Sequence, residues 1–101
     1  MNRKPNALRI SEADNVAVAL SDIAAGDGVV LPEEDGPVAR EAIAFAHKVA
    51  LEPVAGGAAI RKYGVEIAFA TADIAAGDWV HRHNADSYFR ARRARREGRK
   101  R

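Results

Sequence analysis

A chain of 101 residues, 16 of them Lys or Arg and 14 Asp or Glu, makes one domain with a modest core, too small to enclose a deep active site with its own supporting shell. It has no cysteine, which excludes a disulfide framework, a thiolate metal site and a cysteine nucleophile, and fits a reducing cytoplasm. The net charge of +2 is divided: residues 90–101 carry eight basic side chains against one acid, so that stretch is strongly positive and the rest of the chain mildly acidic.

The polar start, Met1-Asn2-Arg3-Lys4-Pro5, has no apolar stretch behind it for a signal peptide, and nothing approaches the length of a membrane span. A short alternating run at residues 7–10 comes first. Residues 16–20, Val-Ala-Val-Ala-Leu, then read as a strand with Val16, Val18 and Leu20 inward. Asp22 to Asp27 is a turn, and Val29, Val30 and Leu31 resume an extended run. Residues 32–37, with two prolines, a glycine and three acids, read as an acidic loop. Residues 38–49 are rich in helix formers, with Ala42, Ile43, Ala46 and Val49 on one face. A short helical turn around residues 41–45 followed by a strand is the expectation. Lys62 to Ile67 reads as a hairpin centred on Gly64, and residues 68–71 lead to a last turn. About seven short strands follow from this reading, so the class is mainly β.

The strongest organising signal is an internal repeat. Asp22-Ile23-Ala24-Ala25-Gly26-Asp27 recurs letter for letter as Asp73-Ile74-Ala75-Ala76-Gly77-Asp78, and a weaker copy lies around Pro53-Val54-Ala55-Gly56-Gly57. Each copy places an apolar anchor before a glycine that can take the positive φ of a tight turn. Unequal spacings rule out a stacked solenoid. The repeat predicts Gly26, Gly57 and Gly77 in tight turns with Ile23, Val54 and Ile74 buried.

Chemistry concentrates at residues 71–84, which hold the only tryptophan and two of the three histidines. Read as extended from Trp79 to His83, this stretch sets Trp79, His81 and His83 along one side. Two imidazoles on one side can share a metal ion, hold a charged ligand or shuttle a proton. Histidines at strand ends are also often exposed or bonded to backbone carbonyls. Asn84 is equally a turn residue.

Four ordered blocks, Ala46-His47-Lys48-Val49-Ala50-Leu51, Ile60-Arg61-Lys62-Tyr63-Gly64, residues 70–77 and Val80-His81-Arg82-His83-Asn84, resemble the SAF domain of the altronate and galactarate dehydratase family over about residues 8–85. The resemblance implies a small SAF-type β-clip domain over residues 1–86, with short helical turns. A basic Arg-rich tail over residues 87–101, helical or disordered, has no counterpart in the family. The family normally has a Pro-aromatic-Gly step before its His-Lys, where this chain has Ala44-Phe45-Ala46, which puts the turn that presents His47 in question.

The resemblance further implies a lyase that removes water from a hydroxylated sugar acid, with a divalent metal ion as cofactor. His81, His83 and Asn84 are the implied catalytic positions, with His81 and His83 also the metal-ligand candidates. His47 and Lys48 are implied to meet the substrate carboxylate, and Tyr63 and Glu66 are weaker candidates. In the family the domain is either fused to a large catalytic region or a separate small subunit, as in sulfolactate sulfo-lyase. A larger catalytic dehydratase subunit is therefore the expected partner of a cytoplasmic, non-membrane chain, with homo-oligomer formation left open. A non-catalytic SAF module for binding or assembly is the alternative, favoured less because such a module need not carry His-x-His-Asn and Lys-Tyr-Gly. The basic tail alone would support only salt-sensitive, sequence-independent contact with nucleic acid.

Overall fold

The computed structural model describes residues 4–87, so the expected basic tail lies outside the described residues except for Ser87, which is part of a strand. All regular structure among the described residues is strand: β1 Ala7–Leu8, β2 Val16–Ala19, β3 Gly28–Val30, β4 Asp35–Val38, β5 Lys48–Ala50, β6 Ala59–Lys62, β7 Val65–Ala70, β8 Trp79–Val80 and β9 Ala85–Ser87. They form three antiparallel sheets, ordered β1-β2-β5-β8, β3-β4 and β6-β7-β9.

The pair β2 and β5 lies between two hydrophobic clusters, because successive side chains of a strand face opposite ways. Ala17, Ala19 and Val49 enter the first, with Ile23, Val29, Leu31 and Ile43. Val16 and Ala50 enter the second, with Val54, Ile60, Ile74 and Val80. The strand expected at residues 16–20 is present, but its inward set is corrected: Ala17 and Ala19 are buried along with Val16, whereas Leu20 is 46 % exposed. A strand buried on both faces has no polar side for alternation to reveal. The loop expected at residues 32–37 is also shorter than expected, since Asp35 onward forms β4.

The repeated turn occurs four times. Gly26, Gly57 and Gly77 have φ of 91°, 89° and 90°, and Ile23, Val54 and Ile74 are buried. The fourth turn runs through Ala42-Ile43-Ala44-Phe45-Ala46-His47, where a helical turn is expected from composition. No helix forms there. Ile43 instead exchanges two backbone hydrogen bonds with Ile23, each 2.8 Å, as Val54 does with Ile74. Helix propensity differs by only tenths of a kcal/mol among ordinary residues. Burying Ile43 stabilises by about 1.5–3 kcal/mol, so the tertiary pairing prevails. Each turn closes with an i→i+3 bond, such as Asp27 N–H to Ala24 O at 3.0 Å and His47 N–H to Ala44 O at 3.0 Å. In each pair, one aspartate caps the opposite turn: Asp22 accepts from Phe45 N and Asp73 from Gly56 N, both at 2.8 Å.

The fourth copy hides because Ala46 stands where the others have glycine. Ala46 nevertheless has φ 71°, a conformation that costs an L-residue about 1–2 kcal/mol. Its methyl is exposed, so nothing is lost by removing it. Ala46→Gly is therefore expected to stabilise the domain, by about 1 kcal/mol once the greater unfolded-state freedom of glycine is subtracted. A thermal melt checks this: the midpoint rises by several degrees, and an unchanged or lower midpoint contradicts it.

A two-residue hairpin joins β6 to β7, with Tyr63 and Gly64 both at positive φ, 58° and 76°, the requirement of a type I′ turn. The buried carboxylate of Asp14 secures its tip by accepting from Tyr63 N at 3.0 Å and Gly64 N at 2.8 Å.

Candidate functional site

The site is built where β5 pairs with β8, with Lys48 opposite Val80 and Val49 opposite Trp79. His47 enters from the fourth turn, just before β5. Its carbonyl accepts from Ala19 N at 2.8 Å, so the turn is kept in place despite the missing glycine. On the other side Glu41 accepts from the backbone N of Trp79 at 3.2 Å, which ties the same turn to β8.

The expected extension from Trp79 to His83 ends early. β8 stops at Val80, and residues 81–84 form a turn in which His81 O accepts from Asn84 N at 3.1 Å and Ala85 N at 3.0 Å. Asn84 causes this turn. Its buried side chain donates to Trp79 O at 2.8 Å and accepts from His81 N at 3.0 Å, so its amide is committed to the backbone on either side of Val80.

The turn still gathers the rings, by stacking rather than by strand alternation. His81 stacks on the indole of Trp79 at 4.8 Å and 11°, and His83 lies 5.0 Å from the same ring at 37°. His47 is 5.6 Å from Trp79 and 5.3 Å from His81. All three histidines of the chain thus meet around one indole. The nearness of His81 and His83 to Trp79 is visible in the sequence, but the joining of His47 to them through Trp79 depends on the β5–β8 register.

One hydrogen bond gives the cluster its chemistry. Trp79 Nε1–H donates to His47 Nδ1 at 3.0 Å. Indole can only donate, so His47 Nδ1 holds a lone pair and the neutral ring carries its proton on Nε2. The pKa of His81 is lowered, first by desolvation and then by electrostatic coupling to His47, Arg82, Lys48 and His83. That favours the neutral imidazole, which has a nitrogen lone pair to accept a proton.

Two clefts flank the cluster. One, about 250 Å³, is lined by Lys48, His81, Arg82, Asp86 and Ser87 over an apolar floor that includes Ile60 and Val80. The other, about 540 Å³, is lined by His47, Trp79, Ile23, Ile43 and the carboxylates of Asp22 and Asp27. Lys48 is half-buried, and burial and then the nearby Lys62 hold its pKa below the usual lysine value. Tyr63 and Glu66 line neither cleft; Tyr63 forms the hairpin tip held by Asp14.

The described residues do not by themselves complete a divalent-metal centre. Among the described residues no group of three or more His, Cys, Asp or Glu side chains is placed to hold a metal ion. The His47 lone pair on Nδ1 is already taken by the indole, and His81 lies flat against it. Nor is any helix among the described residues long and apolar enough to cross a membrane.

Comparison with known proteins agrees with the blocks that carry the sequence resemblance. The family described as altronate/galactarate dehydratase SAF domain matches residues 5–88. The chain is similar to an altronate dehydratase of Escherichia coli (strain K12), 47% identical over 77 residues that make up 76% of this chain and 15% of that protein. It is also similar to an altronate dehydratase of Bacillus subtilis (strain 168), 35% identical over 82 residues, again 76% of this chain and 15% of the relative. The aligned part is thus a small share of each curated relative.

Proposed function

Because this chain belongs to the altronate/galactarate dehydratase SAF domain family over residues 5–88, we propose that it serves as the SAF part of a hydro-lyase acting on altronate, galactarate or a related hydroxylated sugar acid. It works with a larger catalytic region or subunit. The small share of the curated relatives that it spans supports this division of labour. The observation that carries the reading is the gathering of His47, His81 and His83 on Trp79, which gives a domain of this family one face able to move protons.

Elimination of water breaks a C–H bond next to the carboxylate and a C–O bond at the neighbouring carbon, forms a C=C bond and releases the hydroxyl as water. A base must take the carbon-bound proton, and an acid must supply one to the departing oxygen. His81, whose surroundings favour its neutral form, is suited to the first task. His47, held by Trp79 with its proton on Nε2, is suited to hydrogen-bonding the departing oxygen, to which the proton taken up by His81 can then pass. His83 borders the same indole face, and Asn84 acts by fixing the turn that carries His81. Lys48 supplies positive charge beside His81 for the substrate. Any divalent ion used in the reaction takes its ligands from the larger region, and no step is assigned to it on this chain.

The test is reconstitution. The larger catalytic region of a related altronate dehydratase, freed of its own SAF part, is assayed for sugar-acid dehydration with and without this chain. Activity that rises at least tenfold on adding the chain, and saturates with it, supports the reading. Activity indifferent to the chain contradicts it.

A further inference from the structure

We propose that the open mouth between the β1-β2-β5-β8 sheet and the β6–β7 hairpin is the surface on which the larger catalytic region docks, that region presenting an apolar centre fringed by carboxylates. The strand registers place the two walls of the mouth. Leu8 stands opposite Val18, Val18 opposite Lys48 and Lys48 opposite Val80, so these four side chains share one face of the sheet. The pairing runs one residue past β2, where Leu20 N donates to Asn6 O at 2.8 Å, and Leu20 lies on the same face as Val18. On the hairpin, Lys62 is two residues from Ile60 and opposite Val65, so Ile60, Lys62 and Val65 share the face that turns toward the sheet.

The second hydrophobic cluster fills this mouth at one end only. Val16, Ala50 and Val80 from the sheet meet Ile60 there and are buried. Farther along the same two walls the described residues leave the side chains uncovered: Leu8, Leu20 and Val65 are exposed. A single exposed apolar side chain needs no explanation, but here three of them extend a buried cluster on facing walls, which marks a surface for association.

Charge decides the occupant. Lys48 and Lys62 both stand in the mouth, near enough that Lys62, after burial, helps to lower the pKa of Lys48. Arg61 and Glu66 oppose one another on the other face of the hairpin, and in the adjoining cleft Arg82 accompanies Asp86. A second copy of this chain, related by a twofold axis, would bring the same two lysines toward their own counterparts, and like charges at an interface are costly. A partner with carboxylates around an apolar centre instead pairs the lysines while it covers the apolar walls. The chain aligns with only 15% of each altronate dehydratase it resembles, and the rest of such an enzyme is the partner named here. That identity rests on the dehydratase reading; the apolar and acidic character of the partner does not. Lys48 also lines the cleft that holds His81, so a region docked here ends beside the imidazole cluster.

The experiment is calorimetric titration of the full chain into the larger catalytic region of a related altronate dehydratase, freed of its own SAF part and shown to melt cooperatively. Leu20→Glu and Val65→Glu, exposed substitutions on opposite walls, are each expected to weaken binding by about tenfold or more at matched melting temperature. Lys62→Glu is expected to weaken it as well, and wild-type affinity to fall as salt is raised. Val38→Glu, an equally exposed apolar position on β4, is expected to leave binding unchanged. Wild-type binding that survives both Leu20→Glu and Val65→Glu, or that falls as far in Val38→Glu, overturns the proposal and leaves the dehydratase reading intact. Binding that those two variants abolish, without sugar-acid dehydration by the wild-type pair, counts against the dehydratase reading alone. Absence of wild-type binding, or self-association of the chain that Leu20→Glu abolishes, overturns the proposal.

Discussion

Gly77→Ala is expected to destabilise the domain more than the equivalent change in any of the other turns. Gly77 has φ 90°, which costs a residue with a Cβ about 1–2 kcal/mol. Space adds a second cost at this turn alone. A Cβ at position 77 would run into the carbonyl oxygen of Val38, whereas at Gly26 and Gly57 it would meet nothing within 4 Å. The close approach is held from both sides: Gly77 O accepts from Arg40 N at 3.0 Å, and Gly77 N donates to Ala50 O at 2.8 Å. An added methyl must push these apart, and overpacking of that kind costs about 1–3 kcal/mol. The sum is about 2–5 kcal/mol, a drop of about 10 °C or more for a domain of this size. Gly26→Ala and Gly57→Ala carry only the conformational part. Chemical denaturation of the three variants checks the order, and equal losses in all three would show that contact with Val38 contributes nothing.

The same four turns show what the sequence reveals. Ile23-Ala24-Ala25-Gly26 and Ile74-Ala75-Ala76-Gly77 announce themselves because an anchor and a glycine keep fixed spacing. Gly57 is found by the same rule. Ala46 breaks it with one methyl, and the surrounding alanines then imitate a helix. Recognising the fourth copy requires the pairing of Ile43 with Ile23, 20 residues away, which local propensity does not contain. With that copy restored, the anchors fall at 23, 43, 54 and 74, and each half of the domain repeats the other 31 residues later.

For the candidate site, legibility follows the range of the interaction. His81 and His83 stand two residues apart, so their neighbourhood could be read directly. Asn84 was read correctly as a possible turn residue, yet its hold on Trp79 and His81 shortens the expected strand and changes why the rings meet. The hydrogen bond from Trp79 to His47 joins positions 32 residues apart. It exists only because β5 and β8 are adjacent. The sequence places the only tryptophan beside two histidines, but the third imidazole is not deducible from spacing. Asp14, whose carboxylate secures the distant Tyr63-Gly64 hairpin, went unmarked for the same reason.

His81→Gln is expected to have the largest effect on activity. Glutamine keeps a flat polar group over the indole of Trp79 but cannot take up a proton at neutral pH. The position is exposed, so folding is expected to be retained. General base catalysis typically contributes about 10²–10⁴-fold, and a loss of about that size in kcat is the expected result in the reconstituted enzyme. The pH profile gives a second signature. His81 must be neutral to act, and its surroundings hold its pKa below the ordinary imidazole range in the free protein. The acid limb of kcat/KM in the wild type should therefore fall below that range, as the ring gains its proton. In kcat the limb should lie higher, because a bound carboxylate favours the charged ring. His83→Gln, altering the ring at the rim of the cluster, should cost less. The decisive measurement is the sugar-acid dehydration rate of the reconstituted pair with wild-type chain and with His81→Gln, at matched melting temperature. A fall of about 10²-fold or more, with loss of the acid limb, is the predicted result, and an undiminished rate with an unchanged pH profile would contradict the catalytic role of the imidazole cluster.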